Sequence, residues 1–401
     1  MKRKWIGLLL SAVMAMTAFT GCGTSDNGGD DTADAKDEST SSDSDDSEKI
    51  VLEFFNQKVE AESLYNDVII PKFQEEHPNV EIKVVSPSDA ETVFFTRVST
   101  NDIPDIMSIY PAEYSYRVIM KDGLLADLSG KDFLSRATDT AIEYSTYDDG
   151  KIYAMPYGLS SYGIYFNMDL FEEAGLETPT TWDELIRCLD AFKEKGTDVP
   201  LIFDGKGSLN QFAERLIGII DENFADVCEE VGNGNGSFAD ADKPQVREFS
   251  EALLKLAEYA PEDILGIGRD QGTADFCNGV YPMYIGGTFY MADIMAGNPD
   301  LNCKMIPIPN PVGEQHLPIN VDIALGYSAN TKYPEICEDF LEFMSRPEIY
   351  QLMADNEGTP TCIEGVNYQI DGLMDISEQI KGDNTFLTFC LLYTSPSPRD
   401  S

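Results

Sequence analysis

From Ile50 onward the chain alternates short apolar runs with helical stretches: "IVLEFF", "ESLYNDVIIPKFQEEH", "VEIKVV", "ETVFFTRVST" and "DIMSIY". Strand, helix, strand, helix, strand at these lengths means βαβ units and a mainly parallel sheet, since a crossover helix is the usual way to bring a strand back in the same direction. The first lobe is therefore expected to be α/β. A stretch of a different kind follows, "MPYGLSSYGIYFN" from Met155 to Asn167, with four aromatic rings, two Gly, one Pro and no charged side chain, His or Cys. It holds no group for acid, base or nucleophilic work. It reads as an extended crossover between lobes, with Gly158 and Gly163 as hinge residues able to absorb dihedral change.

The 401 residues imply two or three domains, with 42% hydrophobic residues to bury in their cores. A formal net charge of -43, from 28 basic and 71 acidic residues, excludes nucleic acid as a partner, because a polyanion would be repelled across most of the surface. Part of that charge is local. Residues 23–48 hold ten acids, one Lys and no apolar side chain larger than Ala. Such a segment buries too little to offset its ordering entropy and reads as a self-repelling spacer. Ahead of it, "MKRKWIGLLLSAVMAMTAFTGC" has a basic start, an apolar middle and a small-residue end, the pattern of an export signal.

Motifs for chemistry are sparse. His77 and His316 stand alone, and the cysteines beyond Cys22 (Cys188, Cys228, Cys277, Cys303, Cys337, Cys362 and Cys390) form no CxxC. They read as scattered buried thiols and give no zinc site. Neither "GNGNG" nor "GIGRDQG" has the spacing of a phosphate cradle. There is no Gly-x-Ser-x-Gly elbow, and no carboxylate pair sits in a motif that sets its separation. A binding protein without cofactor or metal is expected, and a secreted glycoside-active enzyme is the weaker alternative.

Later segments carry helix and strand signals of their own. In "TPTTWDELIRCLDAFKEKG", Thr181 precedes a first turn rich in acids and Gly196 marks the stop, so Trp182 reads as structural. "SLNQFAERLIGII" and "QVREFSEALLKLAEYA" read as helices, "VYPMYIGGTFYMADIMAG" as strand, Gly turn and helix, and "CKMIPIPNP" as a strand ended by prolines.

Three stretches carry a family resemblance: "YAMPYGLSSYGIYFNMDLFEEAGLETPTTWDEL", "MYIGGTFYMADI" and "GYSANTKYPEICEDFLEFMSRPE". Together, over about Ile50 to Tyr368, they resemble the family 1 extracellular solute-binding proteins, the sugar-binding lipoproteins of ABC importers with the maltose-binding-protein fold. The resemblance implies a two-lobe α/β fold of the periplasmic binding-protein type II class, with a ligand cleft that closes between the lobes. The expected division is 49–158 with 309–358 for the N-terminal lobe, and 159–308 with 359–389 for the C-terminal lobe. Residues 1–21 become a lipoprotein signal peptide, Cys22 the lipidated residue, and 22–48 the acidic linker. Residues 390–400 resemble a translated sequencing adapter, so 390–401 are expected to be an artefactual tail and the natural C-terminus to be truncated.

A sugar offers hydroxyls and a weakly apolar ring face, so amides, carboxylates and flat aromatics at strand ends are its expected contacts. The candidates are Asn56 and Gln57 after the first strand, Tyr110 and Glu113 after the third, Ser160 and Tyr162 on the crossover, and Asp204 and Asn210 in the second lobe. Asp204 is equally open to a helix-capping role, and Tyr157 and Tyr165 to a core role. Gly287, Phe289 and Tyr290 fall where the family's Gly-x-Trp turn presents a stacking ring, with Phe289 in place of Trp. The implied partners are a small-molecule sugar, the ABC permease and, through Cys22, the membrane; a monomer on the extracellular face is expected. A non-sugar solute or a sensor system remains the alternative.

Overall fold

The computed structural model describes residues 49–388, apart from 112, 122, 148, 241–242, 358–359, 367, 381 and 383. Cys22, the signal and linker segments and the tail from 390 lie outside the described residues. Among those described, no helix is long and apolar enough to cross a membrane.

The first sheet is built on β1 (Ile50–Phe55), β2 (Val80–Val85) and β3 (Ile106–Ile109), all parallel, with β1 in the middle. The βα alternation is thus observed as the spacing predicts. Successive strand residues point to opposite faces, and β1 buries both. Phe54 meets Tyr65 and Phe340 on one side, at 4.9 and 5.8 Å between ring centroids, while Phe55 meets Phe94 on the other at 5.6 Å.

The crossover is β4 (Met155–Asn167), a single buried strand that belongs to two sheets. Its residues up to Ser161 pair with β8 (Leu317–Tyr327), and from Tyr162 to Phe166 it pairs with β6 (Met283–Gly287). The second sheet adds β5 (Leu201–Phe203), parallel to β6, and β7 (Cys303–Pro307), antiparallel to β4. A short β9 (Thr385–Leu387) runs parallel to β8.

The parallel set that the spacing predicts is β1, β2 and β3, and the later strands do not extend it. β8 returns antiparallel between β3 and β4, and β4 is antiparallel to each of β6, β7 and β8. A strand that crosses between lobes and one that returns must oppose each other, which a count of βα repeats does not reveal.

Local signals explain the second lobe. Thr181 Oγ1 accepts from Glu184 N at 3.3 Å and the Glu184 carboxylate accepts from Thr180 N at 2.9 Å, which starts the Trp182–Glu194 helix. Asn167 Oδ1 accepts from Leu170 N at 3.1 Å at the end of β4, where the Met168–Ala174 helix begins. That helix closes on Gly175 at φ +66°, the left-handed conformation that glycine adopts without a Cβ penalty. The six cysteines within the described residues are free thiols, four of them buried.

Candidate functional site

A cavity of about 460 Å³ opens where the two sheets meet. Its first wall follows the carboxyl ends of β1 and β3, which contribute Lys58, Tyr110 and Glu113, with Glu91 from the Ala90–Ser99 helix. Its second wall follows β5 and β6. There stand Gly207, Asn210, Gln211, Glu214 and Arg215, then Arg269 and Phe289. Ser160 of β4 and Asn320, Val321 and Asp322 of β8 form the floor, with Thr388 beside them. The crevice beyond the carboxyl ends of parallel strands is where such sheets bind ligands, because loops there converge while the strands stay rigid.

Five of the sequence candidates line this cavity: Tyr110, Glu113, Ser160, Asn210 and Phe289. The others lie behind it or beside it. Asn56 is buried and its amide donates to Lys58 O at 2.6 Å and Ser86 Oγ at 3.0 Å. Gln57 donates to Ser108 O at 2.8 Å and accepts from Tyr116 Oη at 2.6 Å, so its amide ties β1 to β3. Asp204 accepts from Gly207 N at 2.7 Å, which shapes the loop that carries Asn210. Tyr162 donates to Gln211 Oε1 at 3.1 Å and supports a lining residue from behind. Gly287 leaves room for Phe289, whose Cε1 would lie 2.2 Å from a Cβ there, and Tyr290 is buried against Tyr284 at 5.3 Å.

Gly158 and Gly163 differ. The β4 to β8 register shifts on both sides of Gly158, whereas Gly163 is held between β6 and β7 with a would-be Cβ 2.3 Å from Ile306 O.

Phe289 is fixed by its surroundings. Tyr162 meets it edge-on at 6.2 Å, and the Arg269 guanidinium sits 5.3 Å from its centroid and 4.7 Å from that of Tyr290. Arg269 also donates to Phe289 O at 3.0 Å and pairs with Asp293 at 2.5 Å. The ring is thereby held in place before any ligand arrives.

Charge is arranged as opposed pairs. Lys58 Nζ lies 2.6 Å from Asp322 Oδ2, with the side chains 8% and 14% exposed. Arg215 pairs with Glu214 at 3.1 Å, and its guanidinium sits 5.1 Å from the centroid of the Tyr162 ring. Burial pushes Glu214 up to about 7 despite Arg215 beside it. Burial, reinforced by Glu91, also pushes Glu113 up to about 7. Asn320 Oδ1 is buried with no hydrogen-bond partner among the described residues, on a side chain that lines the cavity.

Lys58, Glu91, Glu214, Arg215, Arg269, Asn320, Val321, Asp322 and Thr388 were not among the sequence candidates. One signal for them exists. In "LNQFAERLIGII" the polar residues Asn210, Gln211, Glu214 and Arg215 recur at helical spacing opposite the buried Phe212, Leu216 and Ile219. No comparable pattern marks Lys58 or Arg269.

The model of the family described as "Bacterial extracellular solute-binding protein" matches residues 53–351. The Multiple sugar-binding protein of Streptococcus mutans is 26% identical over 331 residues, which cover 80% of this chain and 76% of that protein. The melibiose/raffinose/stachyose-binding protein MelE of Bacillus subtilis is 25% identical over 324 residues, 74% of this chain and 70% of MelE. Among solved structures, SBP RafE in complex with raffinose superposes with a TM-score of 0.73 at 28% identity, covering 87% of this chain and 92% of RafE.

Proposed function

The chain belongs to the bacterial extracellular solute-binding protein family, and from that premise we propose that it captures a sugar or oligosaccharide outside the cell for an ABC permease. The observation that carries this reading is the cavity. Two aromatic rings, Tyr110 and Phe289, stand on different walls, and Asn210, Gln211 and Asn320 add amide side chains to the lining. Rings suit the apolar face of a pyranose, and amides suit its hydroxyls. Melibiose, raffinose and stachyose, the ligands named for MelE, are the first to test.

Capture proceeds by closure of one lobe, 49–158 with 309–358, on the other, 159–308 with 359–389. Bending falls at Gly158, where the pairing of β4 with β8 is already irregular. Gly163 is the second hinge candidate. Lipidation at Cys22 anchors the protein, and residues 22–48 space the monomeric binding unit from an anionic membrane surface.

Thermal unfolding is expected to rise with raffinose, stachyose or melibiose, by ~2.7 kcal/mol of stability at a hundred times the dissociation constant. Shifts with amino acids, peptides or polyamines and none with sugars would replace the ligand class. Phe289→Ala is expected to weaken sugar binding by roughly 1 to 3 kcal/mol, the contribution of a large apolar contact. Calorimetric titration checks this, and unchanged affinity removes the ring from the site.

A further inference from the structure

The "GNGNG" stretch takes no part in lining the cavity. It holds two of the Asn-Gly pairs among the described residues, Asn233–Gly234 and Asn235–Gly236, and Asn278–Gly279 is another. An Asn followed by Gly carries a chemistry of its own. The backbone nitrogen of the glycine is within ring-forming reach of the Asn Cγ, and with no Cβ on the glycine little crowds the attack. That nitrogen must give up its proton as it attacks, so an N–H already held by an acceptor is withdrawn from the reaction.

The pairs are held differently. Gly234 N donates to Val231 O and Asn235 N donates to Glu230 O, both at 3.0 Å, with Gly234 at φ +77°. These crossed bonds onto a left-handed glycine are the usual way to end a helix, and they close the Phe224–Gly232 helix. Asn278 repeats the arrangement at the end of the Arg269–Cys277 helix. There Gly279 N donates to Phe276 O and Val280 N to Asp275 O, both at 3.0 Å, with Gly279 at φ +72°. The Asn278 amide is engaged as well, donating to Ala274 O at 2.8 Å. Gly236 comes just after the first of these caps. Among the described residues its N–H has no acceptor, and the exposed Asn235 side chain has no partner.

The structure assigns Asn235 as a site of covalent self-modification: the Gly236 nitrogen attacks its side-chain amide and converts it to a carboxylate, while Asn233 and Asn278 are spared. The bond from Gly236 N to Asn235 Cγ forms and the Cγ–Nδ2 bond breaks. The proton from Gly236 N goes to the leaving nitrogen, which departs as ammonia. Water from the solvent around this exposed loop then opens the cyclic imide at either carbonyl, leaving aspartate or isoaspartate with no change of oxidation state. The new charge falls among acids. A Cβ on Gly236 would lie 3.2 Å from Asp240 Oδ2 and 3.5 Å from Glu230 Oε1, and Lys243 Nζ beside them is already paired with Glu230 at 3.0 Å.

Ageing the folded full chain in mildly alkaline buffer tests the assignment, with peptide mapping by mass spectrometry that separates asparagine, aspartate and isoaspartate at each position. Asn235 is expected to convert about fivefold faster than Asn233 or Asn278, or more, since a hydrogen bond of ordinary net strength on the attacking nitrogen slows the other two by that factor. In a urea-unfolded chain the caps are gone and the three positions should convert at similar rates. Gly236→Ala should slow conversion at Asn235 alone, because its methyl crowds the attack. Equal rates at the three positions in the folded chain overturn the assignment, as does faster conversion at Asn233 or Asn278. An Asn235 that stays intact in the folded chain while the unfolded chain reacts overturns it too.

Discussion

Asp322→Ala is expected to cost about 4 kcal/mol of folding stability, because it removes the carboxylate that the buried Lys58 ammonium meets at 2.6 Å. Lys58 follows β1 and Asp322 lies on β8, so the 2.6 Å pair joins two strands far apart in sequence at the floor of the cavity. The Lys58 side chain is 8% exposed, too little for water to replace the lost carboxylate. Removing both charges has a different consequence. Lys58→Met with Asp322→Leu should be near neutral or stabilising, since neither desolvation cost is then incurred. Urea unfolding of the two single variants and the double variant completes the cycle. A loss below about 1 kcal/mol for Asp322→Ala would mean that solvent or another group takes the place of the lost carboxylate.

Gly163→Ala is expected to destabilise the chain by about 3 kcal/mol, at the upper end of what overpacking usually costs. The added Cβ would lie 2.3 Å from Ile306 O and 3.0 Å from Met305 Cε, and the nearer of these is backbone. Relief requires β7 to move away from β4, which weakens the antiparallel pairing of Gly163 with Pro307 and its neighbours. Gly313→Ala is the matched control. Its new methyl meets nothing nearer than Asn310 Nδ2 at 3.6 Å, so its effect should stay within about 0.5 kcal/mol. Equal midpoints for the two variants in denaturant would sink the close-approach argument. The two glycines of this strand stand there for different reasons: at Gly163 the neighbouring strand leaves no room, whereas at Gly158 the pairing itself shifts.

How far the site was readable from the chain depends on where each residue stands relative to its own strand. Tyr110 and Glu113 follow β3, and Phe289 follows β6, so strand ends found by periodicity lead directly to them. Asn56 and Gln57 obey the same rule, yet their amides are consumed in hydrogen bonds to Lys58, Ser86, Ser108 and Tyr116. The residue that reaches the cavity from that loop is Lys58, one position further on. A one-residue difference at a strand end redirects the side chain, and no local pattern specifies it.

The amino-acid sequence by itself determined the α/β class, the alternation of elements from Ile50, the helix start at Thr181, and the charge-free character of β4. These depend on periodicity, capping and hydrophobicity, which act between near neighbours. Only the tertiary structure decided that β8 returns antiparallel between β3 and β4, that Asp322 meets Lys58, and that Glu113 and Glu214 share one cavity. Each of these joins residues about a hundred or more positions apart. Such contacts are selected by the packing of whole sheets, where the burial of many side chains outweighs any preference encoded at a single position.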